Sequence, residues 1–312
     1  MPERLVYWNG DFIPERSARV SVFDWALMYG DMLFEMTRTF KKKPFHLRKH
    51  LERLYDSLRY AEIDCGLSID EMEAATFETI RKNEDRLEGL DFQIMHDVTR
   101  GSMPHYDTIV TEGQAPIVCI HVIPLVRHLG LMWERFRDGA HFVVPRQQSV
   151  PSRFLDPKAK NRSRLYYRVA ELQAEHMDSG AMAVLTDEQG FLTEGTGNNF
   201  FIAKDGVIYT PKPHNILRGV SRYVCIEIAR RLKVEVREAD IEPYDVRQAD
   251  EAWFTSTPYS MVPITRFDFY PVGDGKRGPL FQRLLDAWSE EVGISIDAQF
   301  KEYSELAKLW TP

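Results

Sequence analysis

Two lysines stand two positions apart in the segment Asp156-Pro157-Lys158-Ala159-Lys160-Asn161-Arg162, just ahead of a run with helical spacing. A deprotonated lysine amine attacks aldehydes, so a lysine beside an anion site has the makings of a covalent anchor. Three further loops have the composition of an anion cradle: Thr193-Glu194-Gly195-Thr196-Gly197-Asn198-Asn199, Leu217-Arg218-Gly219-Val220-Ser221-Arg222 and Thr255-Ser256-Thr257. Gly219, directly before a predicted helix, would turn backbone N–H groups and the positive end of the helix dipole toward a phosphate. The hydroxyls of Ser256 and Thr257 would add donors. Taken singly, each segment has a plainer reading: solvated surface lysines, a turn with an N-cap serine, the end of a strand. It is their occurrence together that favours cofactor chemistry.

The elements that must position these residues fall into two groups. Leu5 to Trp8 and Arg19 to Phe23 read as strands, with Asn9-Gly10-Asp11 as a hairpin signal. Leu47, Leu51, Leu54 and Leu58 recur at helical spacing within His46 to Tyr60, and Ser68 to Arg81 opens with a Ser-x-x-Glu capping pattern. A strand over Phe92 to Thr99, a Gly/Pro-bearing loop from Gly101 to Gly113 and an apolar run Ile117 to Ile123 complete a small α+β domain at residues 1–123. Residues 124–137 lose strand character and are assigned as an interdomain linker. Residues 138–312 then form a larger domain, with a strand at Ala140 to Val144 and helices at Arg164 to His176 and Ser221 to Leu232. Short strands are expected at Ala183 to Thr186, Phe200 to Ala203, Val207 to Tyr209 and Ala252 to Thr255.

Composition narrows the function classes. The 312 residues, 44% hydrophobic and 28% charged, suit a soluble globular chain of two domains. A net charge of -7 and a pI near 5.8 argue against nucleic-acid binding, which rests on a basic face. No stretch reaches the roughly 18 apolar residues of a membrane span, and the Met-Pro-Glu-Arg start carries no basic-then-apolar leader, so no membrane association and a cytoplasmic location are expected. Cys65, Cys119 and Cys225 are odd in number and far apart, which predicts reduced, buried thiols and neither a disulfide framework nor a metal site.

Read in order, the chain resembles the fold type IV enzymes of pyridoxal 5'-phosphate (PLP). This group includes branched-chain aminotransferases, D-amino-acid aminotransferases, (R)-selective amine transaminases and aminodeoxychorismate lyase. The likeness is carried by Phe23-Asp24 through Tyr29-Gly30-Asp31-Met32-Leu33-Phe34-Glu35, by His50-Leu51-Glu52-Arg53-Leu54, and by Val98-Thr99-Arg100-Gly101. It continues through Lys160-Asn161, Thr193-Glu194-Gly195 with Asn199-Phe200-Phe201, Gly219-Val220-Ser221-Arg222 and Thr255-Ser256-Thr257. The resemblance implies an α/β (α+β) fold of two domains, the larger with a β-barrel-like core.

The resemblance also implies roles. Lys160 matches the lysine that anchors the cofactor and shuttles the proton, with Lys158 the weaker candidate. Glu194 matches the carboxylate facing the pyridine nitrogen, where a negative charge favours the protonated ring. Arg53 matches a phosphate arginine, whose forked donors suit phosphate oxygens, with Glu35 and His50 placed to orient it. Val220, Ser221, Ser256 and Thr257 would complete the phosphate site, and a homodimer is implied. The reaction implied is transfer of an amino group from a small-molecule donor to a 2-oxo acid acceptor.

Substrate choice rests on departures from each branch. Met36 stands where branched-chain enzymes usually have Gly, and their Tyr-x-Arg is missing, with Phe92 and Gln93 nearby. Val98 to Gly101 is more like the D-amino-acid and (R)-amine branches, although His105 occupies the place of an arginine. Phe34, Met36, Arg100, His105 and Tyr106 are the expected pocket residues, and Arg100, Arg162 and Arg164 are the cations within reach of a substrate carboxylate. Hydrophobic amines or amino acids of the (R)-amine or D-amino-acid type are the favoured donors. A branched-chain L-amino-acid aminotransferase and an aminodeoxychorismate-type lyase are the alternatives within this chemistry, and a non-catalytic dimeric binding protein is the alternative outside it.

Overall fold

The computed structural model describes residues 3–106 and 115–309. Beyond Tyr106, the greater part of the loop expected from Gly101 to Gly113 lies outside the described residues. The chain divides into two compact units, Met1–Leu125 with Ala159–Arg164, and Val126–Lys158 with Leu165–Pro312.

The first unit is an antiparallel six-stranded sheet. Its strands are β1 (Leu5–Trp8), β2 (Asp11–Pro14), β3 (Met32–Phe40), β4 (Lys43–Pro44), β5 (Phe92–Thr99) and β6 (Val118–Pro124), in the order β2-β1-β6-β5-β3-β4. Helices α1 (Trp25–Tyr29), α2 (Leu47–Tyr60) and α3 (Ile69–Lys82) accompany them. Asn9 and Gly10, both at positive φ, turn β1 directly into β2. The partner of β1 is therefore Asp11–Pro14 and not the expected strand at Arg19 to Phe23. A two-residue turn pairs its immediate flanks, and Pro14 lacks the N–H to extend the ladder. The capping box expected at Ser68 is present on α3, with Ser68 and Glu71 exchanging hydrogen bonds.

Alternation along β5 divides the sheet into two faces. Phe92, Ile94 and Val98 pack with Leu51, Leu54 and Leu58 of α2 and Met72 of α3, while Gln93, Met95, Asp97 and Thr99 point the other way and are also buried. Register sets Glu35 opposite His96 and Phe34 opposite Asp97, so Glu35 lies on the helix-covered face and Phe34 on the opposite one.

His96 is fully buried on the helix face, its Nε2 2.8 Å from the hydroxyl of Thr76. Burial pushes its imidazole down to about 4. Between the unfolded value of about 6.5 and the folded one, the unfolded chain binds a proton that the native chain refuses, so stability falls as pH drops through that window. From pH 7.5 to 5.0 this residue is expected to remove about 2 kcal/mol, and urea unfolding of His96→Gln should lose that much less over the same interval. Equal losses in the two proteins would remove His96 as the source.

The second unit begins with α4 (Val126–Asp138), which occupies the stretch assigned from sequence as a linker. Val126, Leu129, Met132 and Phe136 are buried along one side of it, and Phe136 stacks on Phe300 with centroids 3.8 Å apart. Gly130 permits the close approach, since a Cβ there would lie 2.4 Å from that of Ala307. Next come β7 (Ala140–Val143), α5 (Leu165–Met177), β8 (Met182–Thr186), β9 (Leu192–Gly195), β10 (Asn198–Lys204), β11 (Val207–Pro211), α6 (Val220–Arg231) and β12 (Val236–Ala239). The chain ends with α7 (Pro243–Arg247), β13 (Glu251–Ser256), β14 (Ser260–Phe267), β15 (Tyr270–Pro271), α8 (Pro279–Val292) and α9 (Ile296–Leu309), which carries Phe300.

Strands β10-β13-β14-β7-β8-β9 pair in sequence, and β9 pairs back to β10, so six strands close into a barrel extended by β11, β12 and β15. Closure leaves no free edge within the ring. Phe142, Phe200, Phe254 and Phe267 fill its interior. The mixed α/β fold with a barrel-like core in the larger part agrees with the sequence expectation.

Among the described residues no helix is long and apolar enough to cross a membrane, and no acidic, His or Cys cluster suits a metal ion. The three cysteines are free. Only Cys225 is fully buried, whereas Cys65 and Cys119 are half-buried. Burial pushes the Cys119 and Cys225 thiols up to about 12.

Candidate active site

The two lysines of the basic loop separate into different units. In the second unit, Lys158 donates from Nζ to the carbonyl of His214 at 3.0 Å and pairs with Asp156 at 2.8 Å. In the first, residues 160–162 run along the edge of β3 that β4 leaves open. Phe34 N donates to Lys160 O at 3.0 Å, Arg162 N to Met32 O at 2.8 Å, and Leu33 bridges Asn161. Lys160 N in turn donates to the Ser57 hydroxyl on α2 at 3.1 Å. Side chains alternate across such an edge, so Lys160 and Arg162 share the Phe34 side. The Lys160 Nζ lies 4.6 Å from the centroid of the Phe34 ring.

On the helix-covered face of the same strand, Glu35 is fully buried and bound by α2. Arg53 donates to it from Nε and Nη2, both at 2.7 Å, and His50 Nδ1 lies 3.1 Å from it. His50 and Arg53 are three residues apart on one helix and so present the same side. Burial pushes the Glu35 carboxyl up, but the Arg53 guanidinium and His50 outweigh it and hold it well below the usual carboxylate range. The result is a guanidinium locked by a forked bond on one side, with 11% of its side chain still exposed.

The opposite face carries a second charged group, in which Arg162 was a candidate from sequence but Asp97 and His121 were not. Asp97 accepts from Arg162 Nη2 at 2.9 Å and lies 3.1 Å from His121 Nε2. Burial raises the Asp97 carboxyl, but His121 and Arg162 prevail and hold it low. Beside Asp97 a mainly apolar cavity of about 260 Å³ opens, walled by Val6, Trp8, Val20, Met32 and Ile117, with Glu15 and His121 also in its lining. Met36 lies on this face too. Arg100 does not serve as a pocket cation: it donates to Asp31 at 2.5 Å and to the carbonyls of Ala61 and Glu62, clamping the end of α2. His105 is exposed on a short turn, and Tyr106 on the same turn packs its ring against Phe23 at 4.5 Å.

In the second unit the three cradle loops meet. The β9–β10 register sets Asn199 opposite Glu194, and Asn199 Nδ2 donates to the Glu194 carboxylate at 3.2 Å and to Leu217 O at 2.9 Å. Leu217 N donates to the same carboxylate at 3.0 Å, and Tyr167 from its hydroxyl at 2.8 Å. Tyr167 carried no signal in the sequence beyond its place on a helix seven residues after Lys160. Ser256 donates from Oγ to Gly197 O at 3.1 Å, tying in the third loop. Thr257 lies next to it, half-buried in the β13–β14 turn.

Several details fit a phosphate and ring cradle. Gly219 is the N-cap of α6 and offers no side-chain hydrogen bond, so the first amides, those of Val220 and Ser221, keep their donor capacity. A Cβ on Gly219 would lie 2.1 Å from Asn199 Oδ1, so the backbone approaches as only glycine permits. The buried Oδ1 of Asn198 and Oγ1 of Thr255 lack a hydrogen-bond partner among the described residues.

Residues 32–267 match the family model described as Amino-transferase class IV. A Methanocaldococcus jannaschii protein named "Putative branched-chain-amino-acid aminotransferase" is 34% identical over 286 residues, spanning 91% of this chain and 95% of that one. The Escherichia coli K12 branched-chain-amino-acid aminotransferase is 30% identical over 293 residues, 91% of each chain. Among solved structures, a T.th. branched-chain amino acid aminotransferase with pyridoxamine 5'-phosphate has a TM-score of 0.83 at 28% identity, covering 98% of both chains. These similarities do not support the expected leaning toward (R)-amines and D-amino acids. The departures at Met36, Phe92 and Gln93 and the Val98 to Gly101 stretch that prompted it are a few positions set against likeness along nearly the whole chain.

Proposed function

Since the chain belongs to the class IV aminotransferases, we propose that it moves amino groups from branched-chain and similarly hydrophobic L-amino acids to a 2-oxo acid, with PLP held on Lys160. The observation that carries the cofactor assignment is Glu194, a buried carboxylate on which a hydroxyl, a side-chain amide and a backbone amide converge. The substrate class rests on the names of the similar proteins and on the apolar cavity bordering Asp97. By likeness to the family, the working form is a homodimer.

Bound PLP supplies an electron sink for the substrate carbon. The chain does the rest. With PLP bound, Arg53, oriented by Glu35, would hold its phosphate. The amides of Val220 and Ser221, with the hydroxyls of Ser221, Ser256 and Thr257, would offer it further donors. Glu194, held by Tyr167, Asn199 and Leu217, would set its negative charge toward the ring nitrogen. Lys160 would serve as the anchor and as the amine that moves a proton at the substrate carbon. Phe34 and the apolar cavity would receive the side chain.

The test is a donor screen on the PLP-loaded enzyme with 2-oxoglutarate as acceptor. L-leucine, L-isoleucine and L-valine should exceed D-amino acids and (R)-amines by about tenfold or more in kcat/KM, a difference of about 1.4 kcal/mol in the barrier. Preference for a D-amino acid or an (R)-amine would overturn the substrate reading. Failure of every donor to convert the cofactor to its amine form would overturn the reaction.

A further inference from the structure

An aminotransferase works on two substrates in turn at one site. If the donor is apolar and the acceptor a dicarboxylate, the same few side chains must accept a methyl-branched tail and then a second carboxylate. An apolar wall alone refuses the charge, so a cation has to stand beside it without spoiling it.

Arg162 meets this requirement. Its guanidinium lies over the Phe34 ring, with Cζ 3.7 Å from the centroid, and the same ring carries Lys160 Nζ at 4.6 Å. Phe34 and Asp97 are directly paired across β3 and β5. One residue fixes the plane of the guanidinium by stacking, and the other fixes an edge by a 2.9 Å hydrogen bond. Of the five N–H groups of an arginine, Asp97 takes one by direct hydrogen bond among the described residues. The side chain remains 39% exposed, although its anchor Asp97 is 11% exposed. The Phe34 ring also bears Arg164 at 4.7 Å, but Arg164 donates from Nε to the Asn161 carbonyl and so braces its own loop. Lys160, Arg162 and Arg164 gather on the Phe34 ring, with Asp97 as the carboxylate that Arg162 meets directly. Asp97 also borders the apolar cavity, which Glu15 and His121 line as well, so the guanidinium and the cavity share this carboxylate as a neighbour.

We propose that Arg162 is a specificity-determining residue that reads the distal carboxylate of a dicarboxylic substrate, such as 2-oxoglutarate or glutamate, while apolar side chains use the neighbouring cavity. Phe34 and Asp97 are the positioning residues that hold its fork. The inference rests on the transaminase reading above and deepens it.

The experiment compares wild-type holoenzyme with Arg162→Gln and Arg162→Lys. Calorimetry measures binding of glutarate and of 4-methylpentanoate, two unreactive acids that differ in the distal group. Steady-state kinetics measures KM for 2-oxoglutarate and for 4-methyl-2-oxopentanoate. In Arg162→Gln, glutarate binding should weaken and the KM for 2-oxoglutarate should rise, each about tenfold or more, as expected for loss of a charge-assisted fork. The apolar acids should stay within about twofold, the size of an ordinary surface change. Arg162→Lys should recover part of the loss, because it keeps the charge without the fork. Equal losses for both kinds of acid would give Arg162 a general structural role, and no loss for either would give it none. Either outcome overturns the proposal. A wild-type protein that binds glutarate through Arg162 but transaminates nothing would instead overturn the reaction assigned above.

Discussion

Lys160→Ala should leave PLP unattached after borohydride reduction and lower transamination by about a thousandfold or more, because one amine supplies both the anchor and the proton transfer. The backbone of residues 160–162 is held by hydrogen bonds to Phe34, Met32 and Ser57, none of which involves the lysine side chain. The variant should therefore fold, and its failure should be chemical. Lys158→Ala is the control. Its amine is already spent on the His214 carbonyl and Asp156, and a partly exposed pair of that kind contributes about 1 kcal/mol or less. Activity within a few-fold of wild type is expected for it. Peptide mapping of the reduced protein decides between the two lysines, and label on Lys158 would sink the assignment.

Glu35→Gln should cost about 3 kcal/mol of stability and weaken PLP binding by about tenfold or more. The carboxylate has no exposure and takes two hydrogen bonds from Arg53, so neutralising it leaves a largely buried guanidinium without its counter-charge. The cofactor phosphate would partly replace that charge. Chemical denaturation with and without PLP separates the two contributions: the apoprotein should show the full stability loss and the loaded protein less. A pH dependence accompanies it. The folded carboxyl is held below its unfolded value, so its stabilisation is present above about pH 4.3 and disappears as the pH falls toward the folded value. Stability of Glu35→Gln should be flatter with pH in that acid range, and an unchanged acid limb would argue against the pair as its origin.

The Glu35 pair and the Arg162 group show how unevenly the site could be read beforehand. Both involve β3, which went unassigned because it does not alternate: Thr37, Arg38 and Thr39 are buried together with Leu33 and Phe34. Period-two reasoning needs one wet face, and this strand has none over most of its length. For a related reason β14 was overlooked, since Pro263 falls inside it although the strand is buried except at Arg266 and pairs with β13 from Ser260 to Ile264. By contrast α2, α3 and β5 stand almost where the residue pattern puts them, because each presents one face to the same apolar layer. The helix α4 illustrates the remaining error, its apolar stripe being interrupted by Gly130 at the point where α9 needs to come close.

What the sequence determined by itself was the inventory: a lysine loop, Arg53 with His50 and Glu35 to orient it, a Glu-Gly loop, a Gly-Val-Ser helix start and a Thr-Ser-Thr turn, in an order that one enzyme family uses. Such features are local, since backbone freedom and capping chemistry write them into a few adjacent residues. The tertiary structure alone decided that Lys160 lies along β3 while Lys158 is paired elsewhere, that Arg100 is a clamp and Arg162 a displayed cation, and that Tyr167 and Asn199 steady Glu194. Most of those outcomes depend on strand register and on partners tens of residues away, and a single residue of slip would turn the strand side chains to the other face.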